Sequence, residues 1–181
     1  MAVITEQLVW TSDVSNTGVT DMENTISSDD SRATLANTLD WTFELTNLSQ
    51  TPDSIISIQP KLEGKTDVSG GSFIFFHKIL NGSSTELYSE AVQTADDEDG
   101  SVGAGATRTT SDGSTAWTEN DINTLRIRFD FLVGFGGASQ GLLDHYYIEV
   151  KYNVSGDNAG KVLLNSGKIL LNSGKIYMPQ G

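Results

Sequence analysis

Residues 125–133 read Leu-Arg-Ile-Arg-Phe-Asp-Phe-Leu-Val, and this stretch decides the fold class. Every second residue of it is apolar, and three of the four residues between them carry a charge. Successive side chains of a strand point to opposite faces of a sheet, so this period of two predicts a strand with one face on a core and the other in water. Residues 39–45 and 146–152 alternate in the same way. These three segments predict antiparallel strands, because antiparallel sheets commonly bury a single face.

Three further strands are predicted between residues 45 and 125. Residues 57–63 alternate less strictly, and residues 73–80 are apolar on both faces. The second of these is therefore predicted to be the most buried strand. The dipeptide Asn-Gly at 81–82 follows it directly and favours a hairpin turn into a strand over residues 85–89.

The remaining segments predict a short strand, long loops and one helical turn. Residues 6–10 form the short strand, and residues 13–36 and 93–115 are rich in Ser, Thr, Asp and Gly, as surface loops are. Thr118 and Asp121 can cap a single helical turn. About seven strands with Gly-rich turns predict an all-β protein, namely an antiparallel two-sheet sandwich of jelly-roll or immunoglobulin-like type.

The C-terminal tail repeats one heptad three times, over residues 160–166, 167–173 and 174–180. Each unit begins Gly-Lys and continues with three apolar residues. Asn-Ser-Gly breaks helices and favours turns, so the repeat predicts short strands and not a coiled coil. A ribbon of such strands is marginally stable alone, so it must pack on another surface. The sequence thus predicts a body over residues 1–157 and a short β-repeat extension over residues 158–181.

Charge separates the tail from the body. The whole chain carries −13, while the residues from Gly160 onward contain three Lys and no acidic residue, so the tail is +3 and the rest is −16. This favours attraction between the tail and an acidic body, its own or a neighbour's, although the Lys residues can also serve only to keep an apolar tail soluble. We expect a homo-oligomer, with a trimer favoured. The predicted assembly residues are Lys161, Val162, Leu163, Leu164, Lys168, Ile169, Leu170, Leu171, Lys175, Ile176, Tyr177 and Met178.

Composition restricts the function classes. The chain has no cysteine, which excludes disulfides, thiolate metal sites and thiol nucleophiles. Its acidic balance is unlike the basic face of nucleic-acid-binding proteins. No apolar run approaches the roughly 20 residues that cross a bilayer, and residues 1–6 lack the features of a signal peptide. We therefore expect no nucleic-acid or membrane partner, and synthesis in the cytoplasm.

Motifs for catalysis or cofactor binding are weak. His77 is expected in the core, and Asp144 cannot form a relay with His145 because adjacent strand residues face opposite sides. The acidic run at 96–99 is a calcium candidate without the ligand spacing of an EF-hand loop, and a solvated loop is the other interpretation. A metal site of two distant histidines and a pair of catalytic carboxylates stay open. We expect no enzyme activity and no cofactor.

The tryptophans are the best candidates for ligand contact. Trp117 lies between polar residues in a predicted loop, and an exposed Trp near Asp and Asn is a usual platform for stacking a sugar ring. The other interpretation is that Trp117 closes one end of the sandwich. Trp41 is expected in the core, and Trp10 fits either environment.

Several segments combine into an architectural pattern. Residues 117–131 read Trp-Thr-Glu-Asn-Asp-Ile-Asn-Thr-Leu-Arg-Ile-Arg-Phe-Asp-Phe, and after a Gly-rich loop residues 143–152 read Leu-Asp-His-Tyr-Tyr-Ile-Glu-Val-Lys-Tyr. Together with residues 39–43 and 61–66 and the serial Asn-Ser-Gly-Lys units, this pattern resembles virion structural proteins of tailed bacteriophages. In those proteins, a short turn, a strand, a glycine loop and a strand ending Ile-Glu-Val-x-Tyr recur in small β-sandwich modules.

The resemblance implies a non-enzymatic component of a virion, assembled in the host cytoplasm. The size of the chain suggests a capsid decoration or cement protein, whose partners would be copies of itself and the major capsid protein or other virion proteins. The alternative is a tail-fibre-associated, receptor-binding or carbohydrate-binding β-sandwich module, for which Trp117 would contact a surface glycan. A cellular carbohydrate-binding module is disfavoured by the missing secretion signal. The resemblance carries no catalytic residues.

Overall fold

The alternating segments form the strands of an all-β protein. The structure is a computed structural model that describes residues 1–28, 31–67, 72–95, 102–135, 140–155, 163–165 and 168–170. In chain order, the strands are β1 (Ala2–Thr20), β2 (Ala33–Leu45), β3 (Ser54–Thr66), β4 (Ser72–Leu80), β5 (Glu86–Ala95), β6 (Val102–Ala104), β7 (Arg126–Phe135), β8 (Gln140–Val154), β9 (Leu163–Asn165) and β10 (Lys168–Leu170).

The first eight strands belong to a single antiparallel sheet. Its order is β5-β4-β7-β2-β1-β8-β3-β6, and β2 also pairs with β8. The two end strands, β5 and β6, approach each other, so the sheet is nearly closed into a barrel. The predicted all-β, antiparallel class is confirmed. The division into two layers, jelly-roll or immunoglobulin-like, is not confirmed, because β1 to β8 share one hydrogen-bonded sheet.

Aromatic side chains on the inward-facing positions fill the barrel. Trp41 and Phe43 on β2 have ring centroids 4.3 Å apart, and Phe129 on β7 lies 5.3 Å from Tyr146 on β8. These four rings come from the three segments with the clearest alternation, so the predicted core faces are confirmed. The other large side chains that are fully buried are Tyr152, Phe75, Leu8, Leu35, Ile58, Leu62 and Ile79.

The first hairpin overturns the prediction of a loop over residues 13–36. Strand β1 continues to Thr20 and pairs antiparallel with β2, which begins at Ala33, and only a 3-10 turn (Met22–Thr25) lies among the described residues between them. Three irregularities interrupt the β1–β2 register. The polar composition of this part of β1 reflects its largely exposed side chains, while its backbone still pairs with β2. Pairing with a neighbour therefore outweighs the low strand propensity of Ser, Asp and Asn.

Strand β4 is buried on one face, so the prediction of the most buried strand is wrong. Phe75, His77 and Ile79 are buried, whereas Ile74 and Phe76 between them are half-buried. The reason is position, because β4 lies second from one end of the sheet and its outer face has no covering layer among the described strands.

Two predicted turns are confirmed, the hairpin turn after β4 and the helical turn before β7. Asn81 closes the β4–β5 hairpin, and its side-chain oxygen accepts from the backbone N–H of Ser83 at 3.0 Å and of Thr85 at 2.9 Å. The helical turn is α1 (Glu119–Asn123). Thr118 accepts from the N–H of Asp121, and the Asp121 carboxylate accepts from the N–H of Thr118, which completes a capping box.

The first two repeats of the tail form strands, as predicted. Strand β9 pairs antiparallel with β10 in a two-stranded sheet that is separate from the eight-stranded sheet. The third repeat lies outside the described residues. So does the predicted boundary at 157/158, which stays a prediction.

Candidate functional site

One segment joins the two ends of the sheet. We call residues 105–117 the closing segment. Its backbone continues along the edge of β3: Gly105 donates its N–H to Pro60, and Arg108 exchanges two backbone hydrogen bonds of 2.9 and 2.8 Å with Ile58. The segment thus lengthens the short pairing of β6 with β3 and carries the chain toward β5.

One carboxylate on β5 accepts three hydrogen bonds from the closing segment. The Glu90 side chain is 7% exposed and accepts from the backbone N–H of Ala106 at 2.9 Å. The Arg108 guanidinium donates twice to the same carboxylate, at 2.9 and 2.6 Å, and lies 4.4 Å from the centre of the Tyr88 ring. The paired N–H donors of the guanidinium fix the orientation of Arg108 against the buried carboxylate.

Gly105 is the point at which the closing segment comes closest to Glu90. A Cβ atom at this position would collide with the Glu90 carboxylate oxygen and would lie 2.9 Å from a ring carbon of Pro60. A side chain at this position would therefore push the Glu90 carboxylate away from its contacts with Ala106 and Arg108.

Trp117 lies at the end of the closing segment and does not form an exposed platform. It is only 4% exposed, its indole N–H donates to the carbonyl of Arg108 at 3.3 Å, and its ring lies 6.3 Å from that of Tyr88. The expected role as a stacking surface for a glycan requires an exposed face, which this packing removes. The other interpretation, that Trp117 packs at the end of the body, is the one that the structure supports.

Two neutral polar groups lie in the barrel interior beside Glu90. His77 is opposite Glu90 in the β4–β5 register, and its ring centroid lies 5.7 Å from that of Tyr146. Within the part of the chain that the structure describes, neither nitrogen of His77 nor the Tyr146 hydroxyl has a hydrogen-bond partner. Burial lowers the pKa of His77 to about 4, against the opposing effect of Glu90, and burial with Glu90 raises the pKa of Tyr146 well above its ordinary value. Both groups are therefore uncharged at neutral pH.

Sequence reasoning missed the carboxylate that joins two of the three tryptophans. One oxygen of Asp13 accepts from the indole N–H of Trp10 at 2.9 Å and from that of Trp41 at 2.8 Å. The other oxygen accepts from Asn16 at 3.1 Å. Asp13 lies between two irregularities in the register of β1 with β2. The spacing of Trp10 and Asp13 is a local signal, but the contact with Trp41 depends on strand pairing that the sequence does not reveal.

A shallow cleft of about 170 Å³ opens at the end of the body near α1. Arg126 and Glu44 on its wall form an ion pair of 2.9 Å, and Arg126 also donates to Ser84. The cationic group of the cleft is therefore already neutralised. Its lining residues are Glu44, Leu45, Asn47, Gly82, Asn123, Thr124, Leu125 and Arg126.

Other cations of the body are also paired with acidic groups. On the outer face of β4 and β7, Lys78 contacts Asp130 at 2.6 Å, and Arg128 contacts both Asp130 and Asp40. On β3 and β8, Lys61 contacts Glu149 at 2.9 Å. The acidic excess of the body therefore stays on its surface, where it can attract a cationic partner.

Some of the residues predicted for metal binding or assembly lie outside the described residues. The acidic run at 96–99 lies outside them, as do the assembly residues Lys161, Val162, Leu171, Lys175, Ile176, Tyr177 and Met178. Leu163, Leu164, Lys168, Ile169 and Leu170 lie in β9 and β10. Among the described residues, no three His, Asp or Glu side chains are grouped so as to hold a metal ion.

Comparison with protein-family models, with curated proteins and with solved structures finds no match for this chain. The helices in the described part are too short or too polar to cross a bilayer. The fold and its contacts thus define an all-β protein with a nearly closed antiparallel body and a separate repeat hairpin.

Proposed function

We propose that this protein is a non-enzymatic structural component of a tailed-bacteriophage virion, most directly a capsid decoration or cement protein. The tail is the observation that carries the proposal. Its repeats begin a small sheet of their own, separate from the sheet of the body. Short strands that do not belong to the body gain stability by packing on another surface, which a neighbouring copy can supply.

In the proposed mechanism of assembly, the body stays folded as one unit and the tail contacts neighbouring copies. The aromatic core and the Glu90–Arg108 ion pair hold the body together, and the tail adds strands or apolar contacts to an adjacent copy. The charge difference between a +3 tail and a −16 body supports association. On a symmetric particle, many modest contacts of this kind combine into firm attachment.

The partners in this proposal are copies of the chain itself, with a trimer favoured, and the major capsid protein or other virion proteins. The virion is the proposed location, after assembly in the host cytoplasm. A jelly-roll or immunoglobulin-like arrangement of the body stays a prediction. The alternative function in glycan or receptor binding loses its candidate residue, because Trp117 is buried.

Solution mass tests the proposal directly. We expect light scattering to find a discrete oligomer for the full chain and a folded monomer for a chain that ends at Gly156, because the truncation keeps the whole eight-stranded sheet. Circular dichroism and the midpoint of thermal unfolding serve as controls for folding. A truncated chain with the same mass as the full chain would contradict the proposal.

A further inference from the structure

Exposed apolar side chains are concentrated at one end of the sheet. Three of the five large apolar side chains that are exposed among the described residues lie where β1 and β3 begin and β8 ends. We call these three, Met1, Val3 and Ile56, the apolar end patch. Their exposed fractions are 90% for Met1, 64% for Val3 and 38% for Ile56.

The sheet register places the members of this patch on the two strands that flank β8. Val3 is paired with Asn153, which is paired in turn with Ser54 on β3. Ile56 lies at the irregularity of β3 between Ile55 and Ser57. Two strands that flank β8 thus present apolar side chains at the same end of the sheet.

The tail leaves the body beside the apolar end patch. Val154, the last residue of β8, is paired with Ala2, and Ser155 donates its hydroxyl to Asp53 at 2.5 Å. Seven residues lie between Ser155 and the start of β9 at Leu163, so the eight Cα–Cα steps span at most about 29 Å. A tail that starts at one patch can therefore reach the patch of an adjacent copy.

The edge of β3 at this end fits a short strand. Strand β8 pairs with β3 from Ser54 onward, whereas on the other side of β3 pairing within the described residues begins at Ile58. The accessible stretch is thus about as long as β9 and β10, which have three residues each. The irregularity at Ile56 disfavours a longer partner strand.

Charge favours the same partner. Glu6 and Asp53 lie at this end, and the body as a whole is strongly acidic, whereas each tail repeat carries one Lys and no acidic residue. Each tail repeat thus offers apolar side chains and one Lys, and the patch offers apolar side chains near Glu6 and Asp53. The two surfaces are complementary in hydrophobicity and charge.

We propose that the apolar end patch of one copy binds the tail of a neighbouring copy. This inference rests on the proposed function, since it assigns the receiving surface for the assembly tail. The contact is heterologous, because the tail and the patch are different surfaces of the chain. Such contacts form a closed ring when the rotation between copies closes, as in a trimer.

The test compares three pairs of substitutions in the full chain. Val3→Lys with Ile56→Lys places charge on the patch, and Ile169→Lys with Leu170→Lys places charge on the tail. The matched control, Val14→Lys with Ile26→Lys, changes two side chains of similar exposure, 47% and 45%, away from the patch. Light scattering should find monomers for the patch and tail variants and the unchanged oligomer for the control.

Each result has a defined meaning. A tail variant that dissociates while the patch variant stays oligomeric overturns this inference and leaves the proposed function intact. If the full chain is a monomer, or if the tail variant stays oligomeric, assembly does not depend on the tail. The proposed function then fails as well. A full chain that is itself monomeric, with a tail that resists protease, identifies docking of the tail on its own body, which also overturns the inference.

A milder variant guards against loss of folding. Exposed substitutions should shift the midpoint of thermal unfolding by no more than about 2 °C. Should the patch variant exceed this shift, Val3→Ser removes the apolar contact without adding charge. It is expected to raise the dissociation constant of the oligomer about tenfold. An unchanged dissociation constant in Val3→Ser contradicts the inference.

Discussion

His77 makes the body sensitive to acid. Burial lowers its pKa to about 4 in the folded protein, while an unfolded chain has a pKa near 6.5. Between these values the unfolded state takes up a proton that the folded state does not, so the free energy of unfolding falls as the pH falls through this window. The loss is complete near pH 4 and amounts to roughly 3 kcal/mol.

The substitution His77→Phe isolates this effect. Phenylalanine keeps the ring contacts with Phe129 and Tyr146 and cannot take up a proton. We expect urea unfolding at pH 7, 5.5 and 4 to show a flatter pH dependence than the wild-type protein. Burial also lowers the pKa of His145, so His145→Phe is the comparison variant. It should reduce the pH dependence of the free energy of unfolding by a separate amount and leave the contribution of His77 in place. Parallel pH curves for His77→Phe and wild type would refute the assignment to His77.

The tryptophans show which residues the sequence could place. Trp41 stands in a strict alternation with Phe43, and this local pattern was enough to predict its burial. Trp117 lies between polar residues, and its burial depends on Tyr88 and on the backbone of Arg108. The groups that bury Trp117 come from other parts of the chain, so the sequence next to Trp117 does not indicate its burial.

The closing segment is the element whose loss should loosen the body. In Gly105→Ala, the new methyl group would collide with the Glu90 carboxylate, which must then give up part of its contact with Arg108 or Ala106. We expect a loss of about 2 kcal/mol or more in the free energy of unfolding. We also expect faster hydrogen exchange over residues 105–117.

A second glycine of the segment provides the control. Gly113 has a φ of +89°, and no other group lies within 4 Å of the place that a methyl group would occupy, so Gly113→Ala introduces backbone strain without a collision. Its cost should be about 1 kcal/mol, without faster exchange near Glu90. Equal losses in the two variants would show that the close approach at Gly105 does not hold the segment.

Among the elements, strands with strong alternation were predictable and strands of polar sequence were not. The segments that became β2, β7 and β8 bury one face, so hydrophobicity alone revealed them. The second half of β1 was predicted to be a loop because its side chains are polar, and only its pairing with β2 makes it a strand. The contact of the closing segment with β5 joins Glu90 to Gly105 and Arg108, 15 and 18 residues further along the chain, and no sequence pattern links them.

At the scale of the whole molecule, the segment proposed for assembly and the folded body occupy different parts of the chain. The body encloses its aromatic core and pairs cations such as Lys61 and Lys78 within its own surface, while β9 and β10 form a sheet apart from the main sheet. The three-fold repeat and its charge were visible from the sequence, and the pairing of β9 with β10 agrees with the predicted strands. The proposed receiving surface was not visible, since only the register with β8 places Val3 and Ile56 at the same end of the sheet.

This separation predicts that salt weakens the assembly. If each of the three tail Lys contributes about 0.5 kcal/mol through an exposed interaction with the acidic body, screening should raise the dissociation constant of the oligomer about tenfold between 0.05 and 1 M NaCl. The triple variant Lys161→Gln, Lys168→Gln, Lys175→Gln should bind more weakly at low salt and lose most of this dependence. Sedimentation equilibrium at both salt concentrations measures the constant. A salt dependence that is the same in the triple variant would mean that apolar contacts alone hold the tail, with the lysines serving solubility.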